Sequence, residues 1–224
     1  MEKTLFQIFS SDLISFGFSA LLLVGYHLFL SYKLRTDAAY TIQAVNAAAR
    51  VAWVEGIMTR AGQEVLAVQT LRNAIMGPTF LGTTAVLLMM GTVTLTGQVD
   101  KLEQTWHALN VFGTSRPELW LAKVLLLLMD FLIAFMSFAQ AVRLFIHVGF
   151  MLNVPANDAR RNSPQFVAAQ LNRAGVYHWM GMRAYYCAVP LVFWLFGPHF
   201  MVFASVVAVV WLHHLDRAPD EGNS

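Results

Sequence analysis

The sequence predicts an all-α polytopic membrane protein with four transmembrane helices. Of the 224 residues, 57% are hydrophobic and only 12% are charged, which is about half the charge of a soluble domain. Four apolar segments are long enough to cross a hydrocarbon core of ~30 Å as helices, and only a helix satisfies its own backbone there. The spans are predicted at residues 13–32, 74–97, 119–146 and 185–212.

Composition excludes several other classes of protein. The net charge of +2 is small and the basic residues are scattered, which argues against nucleic acid as a partner. The single cysteine, Cys187, excludes an internal disulfide and a four-thiolate metal site. Residues 1–217 are interpreted as one transmembrane helical domain, and residues 218–224 as a polar tail.

The first span runs from Leu13 to Tyr32 and is followed by two cations, Lys33 and Arg35. Residues 38–68 then combine charged residues with one apolar stripe at helical spacing. This pattern predicts one or two amphipathic helices on the membrane surface or against the bundle, broken near Gly62. The alternative is a cytoplasmic helical hairpin with no special packing partner.

The second span begins with a polar entry and then contains no charge. The entry consists of Gln69, Thr70, Arg72 and Asn73. Pro78 cannot donate a backbone hydrogen bond, so it frees a carbonyl near residue 74 that a nearby threonine hydroxyl can satisfy. Such a polar face beside a kink either lines a cavity or serves ordinary helix packing.

The third span carries an acidic residue within its apolar run. An ionised carboxylate at Asp130 costs about 2.5 to 3.5 kcal/mol on insertion scales unless it is paired, hydrated or protonated. Ala134, Ser137 and Ala141 follow on the same helix face, where a neighbouring helix can approach closely. Two interpretations stay open: an ion or proton site, or an interhelical hydrogen bond.

A second polar stripe lies toward the cytoplasmic end of the same helix, at Gln140, Arg143 and His147, on a different azimuth from Asp130. His27 of the first span is expected in the same half of the membrane as His147. Two helix-borne histidines at one depth are the minimum for haem b ligation. We keep haem as a weak alternative and predict no cofactor and no metal site.

The last span is preceded by a second amphipathic helix, which Ser163 and Pro164 open as N-cap and first-turn proline. This helix is predicted to run through Arg173 toward Trp179. The span at 185–212 is then kinked or interrupted at Pro190 and at Gly197, so it is either one bent helix or two half-helices.

Lysine and arginine counts predict the orientation. In a four-span chain, ten of the 15 lie on one side. These are Lys33, Arg35, Arg50, Arg60, Arg72, Arg143, Arg160, Arg161, Arg173 and Arg183. Basic segments stay in the cytoplasm, so both linkers are expected there and both termini outside, in a bacterial inner (plasma) membrane.

The two halves of the chain resemble each other in plan. Each contains a span, a basic linker with an amphipathic helix, and a proline-containing span entered through an arginine. The strings HLFLSY and RLFIHV occupy comparable ends of spans one and three. This predicts a two-plus-two repeat, with chance similarity between apolar segments as the alternative.

A family resemblance rests on two strings. Arg50-x-x-Trp53-Val54 is followed by the run from Ala67 to Asn73, with Met76, Phe80 and Leu81 after it. This pattern resembles the integral membrane family catalogued as domain of unknown function 599, over most of the chain. The resemblance implies a helical membrane protein and transfers no catalytic residue.

The sequence contains no G-x-S-x-G elbow, P-loop or dinucleotide fingerprint, which disfavours an enzyme. We expect a non-catalytic accessory or scaffold component that packs with other membrane subunits or with itself in the lipid bilayer. The alternative is a small oligomeric transporter or channel that uses Asp130 and the kinked spans. A haem- or metal-binding protein using His27 and His147 is the second alternative.

Overall fold

The computed structural model describes residues 2–37, 40–60, 62–96, 117–154 and 162–219. These residues form six helices and no β-strand, which confirms the predicted all-α class. The helices are α1 (Glu2–Thr36), α2 (Ile42–Thr59), α3 (Glu64–Thr96), α4 (Pro117–Leu152), α5 (Pro164–Phe196) and α6 (Pro198–Asp216).

Four helices are long and apolar enough to cross a membrane, as the sequence predicts. They are Ser11–Thr36, Glu64–Thr94, Glu118–Leu152 and Pro198–Asp216. Their outward faces carry large apolar side chains, such as Leu21, Phe80 and Phe203, at least two-thirds of whose surface is exposed. An exposed apolar surface of this extent is stable in lipid and not in water.

The fourth predicted span is divided between two helices. α5 continues through Pro190 to Phe196, and α6 begins at Pro198, so residues 185–212 are interrupted at Gly197 and not at Pro190. The break falls at Gly197, whose φ of 150° is a conformation that residues with a Cβ rarely adopt. Gly197 therefore sets the point where the chain reverses.

Prolines within helices do not interrupt them. α3 is continuous through Pro78, and the hydroxyls of Thr79, Thr83 and Thr84 donate to the carbonyls of Ile75, Thr79 and Phe80. These carbonyls lie after residue 74, the position that we expected a threonine to satisfy. The threonine hydroxyls thus find their acceptors within α3, although they lie on an apolar surface.

The first linker forms a separate helix, and the second does not. Thr41 caps α2 by accepting from the backbone N–H of Ala44, and the chain turns at Gly62, whose φ is 86°. Ser163 caps α5 as predicted, but the amphipathic segment from 164 to 179 continues without a break to Phe196 as one helix. The two halves therefore differ in how the linker joins its span.

α4 is the centre of the bundle. α3 and α5 both pack along it, α2 packs on α5, α6 packs on α5, and α1 packs on α6. At one end the core is shared by α2, α3, α4 and α5 around Val54, Leu71, Val148 and Leu171. Toward the other end it consists mainly of α4 and α5 side chains.

The start of α1 and the end of α6 lie at opposite ends of the bundle. Ala218 N–H donates to Tyr40 O at 3.0 Å just beyond the C-terminal end of α1, whereas Asp12 contacts Lys123 near the start of α4. Between Asp12 and Thr36 α1 rises about 36 Å, more than the hydrocarbon thickness. The end of α5 crosses the bundle once more before α6 returns, so the C-terminal end of α6 lies beside the C-terminal end of α1, and the side of the membrane on which each terminus lies stays a prediction.

Candidate intramembrane polar site

A buried ion pair joins three helices near the start of α4. Lys123 Nζ lies 2.9 Å from Asp12 Oδ1, and the two side chains are 5% and 1% exposed. Trp194 Nε1 donates to the same carboxylate at 3.0 Å, and Lys123 also donates to Trp194 O at 3.2 Å. This Asp12 cluster fixes α1 and α4 to the end of α5, just before the turn at Gly197.

A second buried cluster joins α1, α5 and α6 farther along the bundle. Arg183 and the Tyr26 hydroxyl both donate to the Asp216 carboxylate. The Arg183 guanidinium also lies 4.7 Å from the ring centroid of Trp179, a favourable cation–π distance. We call these residues the Asp216 cluster; like the Asp12 cluster, it contains one cation and one carboxylate.

The two clusters lie at different depths. Fourteen residues of α1 separate Asp12 from Tyr26, which corresponds to about 21 Å along the helix axis. Buried charges are tolerated in lipid when they are paired and face the protein interior. Both pairs meet this condition, so their local role is to hold α1 and α6 against α5.

Asp130 lies between these two levels. It follows Lys123 by seven residues on α4, which is about 10 Å along the helix axis. Its partner helix there is α5, whose Ala184 packs with Ala134, one turn beyond Asp130 on α4. The Oδ2 atom of Asp130 is buried and has no hydrogen-bond partner in the described part of the chain.

The carboxylates of this region differ in whether a partner binds them. Asp12 and Asp216 are each bound to a cation and to an aromatic donor, whereas Asp130 Oδ2 is not. A buried oxygen without a donor favours a proton, a water molecule or a cation beside it, since burial of an uncompensated charge is costly. The geometry therefore fits proton or cation binding at Asp130.

The small face predicted around Asp130 is a packing surface. Ala134, Ser137 and Ala141 are all buried, and Ala134 packs with Ala85 of α3 and Ala184 of α5. Tyr185 of α5 contacts the same level, where its hydroxyl donates to Leu81 O. Small residues thus bring three helices together beside the carboxylate.

The polar entry of the second span does not reach Asp130. Gln69, Thr70, Arg72 and Asn73 are all exposed at the opposite end of the bundle. Leu71 packs against Gly149, nineteen residues beyond Asp130 on α4 and therefore about 28 Å away along the helix. This entry is a separate surface feature.

The stripe on α4 also faces away from Asp130. Arg143 and His147 are exposed, and Gln140 is half-buried. None of the three joins the two charged clusters.

The structure does not bring His27 and His147 to one depth. Asp12 and Lys123 share a level, and His27 and His147 lie 15 and 24 residues beyond them on α1 and α4, a difference of about 13 Å. His27 Nδ1 is also 2.7 Å from Leu23 O within its own helix. Two ligands of one haem iron must lie within a few ångströms of each other, so the predicted pair does not fit.

Several polar contacts were not predicted from the sequence. Asp12 and Asp216 lie at the ends of apolar runs, where they resemble ordinary flanking charges, and Arg183 was counted only for orientation. The available signal is that each of these charges lies within one or two helical turns of an apolar span, where charged residues are uncommon. Their partners come from helices distant in sequence, so the pairing itself has no local signature.

A further polar contact holds α2 on α5. Arg50 Nε donates to Asn172 Oδ1 at 2.7 Å, and Asn172 Nδ2 donates to Ala47 O at 3.3 Å. The guanidinium lies directly over Gly175, where an added Cβ would come within 2.8 Å of Arg50 Cζ. Burial lowers the pKa of the Arg50 guanidinium.

Comparison with known proteins yields one match. The family model described as "Protein of unknown function, DUF599" matches residues 14–221, which include all six helices in whole or in part. No curated protein and no solved structure matches the chain.

Proposed function

Because this chain belongs to the DUF599 family of proteins of unknown function, no activity can be transferred to it, and we propose from its geometry that it is a small transporter of protons or cations. The single observation that carries the proposal is the buried, unpartnered Oδ2 of Asp130 among the described residues. Asp130 is the proposed intramembrane binding group. The proposal includes no catalytic step.

The position of Asp130 supports this role. The carboxylate lies about 10 Å from the Asp12 cluster along α4, and the Asp216 cluster lies at a deeper level on α5. Each of these clusters contains one cation and one carboxylate, so neither neutralises Asp130, and a bound proton or cation would supply the missing compensation. Intramembrane carboxylates of this kind mark ion and proton pathways in other membrane proteins.

A flux experiment tests the proposal. Purified protein is placed in vesicles that contain a pH-sensitive dye, and a potassium gradient with valinomycin drives proton entry; a second set of vesicles reports sodium uptake. We expect wild-type vesicles to take up one of the two ions faster than protein-free vesicles. Asp130→Asn should reduce this rate to the protein-free level, because an amide cannot bind or release the ion.

Matched variants separate transport from folding. Asp130→Glu should retain part of the flux, and Ser137→Ala, on the same buried face of α4, should retain most of it. Each variant must elute from a sizing column as the wild type does. The proposal is abandoned if wild-type and protein-free vesicles do not differ for either ion, or if Asp130→Asn transports normally.

An accessory or scaffold role is the second candidate, and one groove favours it. Between the end of α5 and α6 lies an apolar groove of about 320 Å³. It is lined by Tyr186, Val189, Phe193, Phe203, Ala204, Val207, Ala208, Trp211 and Leu212. Large apolar side chains around small alanines form a surface that suits close packing of another membrane helix.

Filling this groove tests the scaffold role. Ala208→Trp should reduce the size of the complex in mild detergent, because the new side chain occupies the space of the incoming helix. Val210→Trp adds the same side chain at an exposed position of α6 outside the groove, so it should leave the complex unchanged. A complex of one size in all three proteins would exclude this groove as its interface.

We also propose that the end of the bundle carrying Lys33, Arg35 and Arg72 faces the cytoplasm of a bacterial inner membrane. Arg217, which the four-span count assigned to the opposite side, pairs with Thr41 at this same end. The excess of cations at this end supports the orientation.

A further inference from the structure

A second groove lies between α3 and α4 at the basic end of the bundle, away from Asp130. Its volume is about 550 Å³. Its walls are almost entirely apolar, and its polar lining side chains are Arg72, Thr79 and Asn153. The space exists in part because Gly149 has no side chain where it faces Leu71.

The depth of this groove can be read from α4. Lys123 and Arg143 are 20 residues apart, about 30 Å along the helix, which equals the hydrocarbon thickness. α1 gives a similar length. Asp12 is level with Lys123, and Lys33 follows Asp12 by 21 residues. The stretches between these charged residues are therefore about as long as the hydrocarbon is thick.

Two contacts align α3 with α4. A Cβ placed at Gly149 would lie 3.6 Å from Leu71, and one placed at Gly82 would lie 3.6 Å from Phe138. Because the helices are antiparallel, Arg72 is level with Val148 and Phe80 with Gln140. The groove thus extends along α4 from the level of Phe80, about 4 Å before Arg143, to Asn153, about 15 Å beyond it.

Charge distinguishes the two ends of the groove. Arg72 is exposed at the outer end and has no carboxylate partner in the described part of the chain. At the inner end, Phe80 is 67% exposed, and Ile146 and Phe150 extend the apolar wall. A cation in the headgroup region above an apolar channel is complementary to an anionic amphiphile.

We propose that this groove binds one phospholipid with an anionic headgroup. Its phosphate pairs with the Arg72 guanidinium, and one acyl chain lies between Phe80 and Ile146. A guanidinium binds phosphate through two parallel hydrogen bonds, and Asn153 supplies a neutral polar group at the same end. This proposal does not depend on transport through Asp130.

Photolabelling tests the proposal. The full-length protein is reconstituted in phosphatidylcholine vesicles that contain a trace of phosphatidylglycerol or of phosphatidylcholine with a diazirine in one acyl chain. After illumination, labelled peptides are mapped by mass spectrometry. We expect phosphatidylglycerol to label the peptides around Met76 and Ile146 at least about fivefold more than phosphatidylcholine does, since a charge-assisted phosphate contact is worth this much or more.

Four variants sharpen the result. Arg72→Gln should reduce phosphatidylglycerol labelling to the level seen with phosphatidylcholine, whereas Arg35→Gln, an exposed arginine at the same end on α1, should not. Gly149→Phe should reduce labelling by both lipids because it fills the groove. Gly149→Ala, whose Cβ fits at ordinary contact distance, should retain labelling and show that α3 and α4 still pack.

Other outcomes would overturn the proposal. Equal labelling of these peptides by the two lipids would mean that the groove contacts bulk lipid without selecting the headgroup. Loss of labelling to the same extent in Arg35→Gln and Arg72→Gln would assign the preference to the general charge of this end. Labelling confined to peptides outside α3 and α4 would exclude the groove.

Discussion

At the scale of single residues, the polar groups in the membrane fall into two kinds. Asp12 and Asp216 are matched by a cation and an aromatic donor, whereas Asp130 has a buried oxygen without a partner among the described residues. Pairing converts a charge that would oppose insertion into a contact between helices. The carboxylate without such a partner is the one that we propose to bind a proton or a cation.

The Asp12 pair gives a stability prediction. Lys123→Met should destabilise the protein by about 3 to 5 kcal/mol, because removal of one partner leaves a buried carboxylate uncompensated. The double variant Asp12→Asn with Lys123→Met should recover most of this loss. Titration with a denaturing detergent measures both. A single variant as stable as the wild type would mean that the pair is hydrated and contributes little.

At the scale of helices, α5 performs two tasks that the sequence suggested for separate elements. Its first half receives α2 through Asn172 and Gly175, and its second half passes through the bundle beside α4. Gly181 allows this close passage, because an added Cβ there would lie 2.7 Å from the Phe138 ring. α5 thus both receives the linker helix α2 and packs along α4 in the bundle.

The contact between α2 and α5 gives a prediction about local opening. Asn172→Ala removes two hydrogen bonds to α2 and leaves the Arg50 guanidinium with fewer acceptors, at a cost of about 1 to 3 kcal/mol. Hydrogen exchange of amides in α2 should therefore become about tenfold faster or more, while exchange in α4 stays unchanged. Arg60→Gln, at an exposed position, is the control; the idea fails if both variants exchange alike.

At the scale of the whole molecule, the turn at Gly197 decides how the chain is threaded. An additional pass by the end of α5 moves the C-terminal segment to the end of the bundle where α1 stops. The start of α1 and the end of α6 therefore lie at opposite ends of the bundle. This follows from the pairing of Thr41 with Arg217 and does not depend on which side is cytoplasmic.

Cysteine accessibility tests this threading in a Cys187→Ser background. Arg35→Cys and Ala218→Cys should react with a membrane-impermeant reagent from the same side, and Gln104→Cys, in the connection between α3 and α4, from the opposite side. If Ala218→Cys instead reacts together with Gln104→Cys, the crossing of α5 is disproved.

Much of this architecture follows from the sequence by itself. Apolar run length predicts four membrane-crossing helices, since backbone hydrogen bonding in lipid allows few other solutions. Ser163, Gly62 and Pro164 predict helix boundaries through local chemistry, and the small face after Asp130 predicts close packing. These signals are local, and they are read within one or two helical turns.

The tertiary structure alone decided the pairings and the threading. Nothing near Asp12 indicates Lys123 as its partner, and nothing near Asp216 indicates Arg183, because each pair joins helices distant along the chain. The second half of α5 crosses the bundle beside α4, although α5 is not one of the four helices that are long and apolar enough to span a membrane. Packing against α4 stabilises that crossing, and packing depends on the other helices rather than on the segment itself.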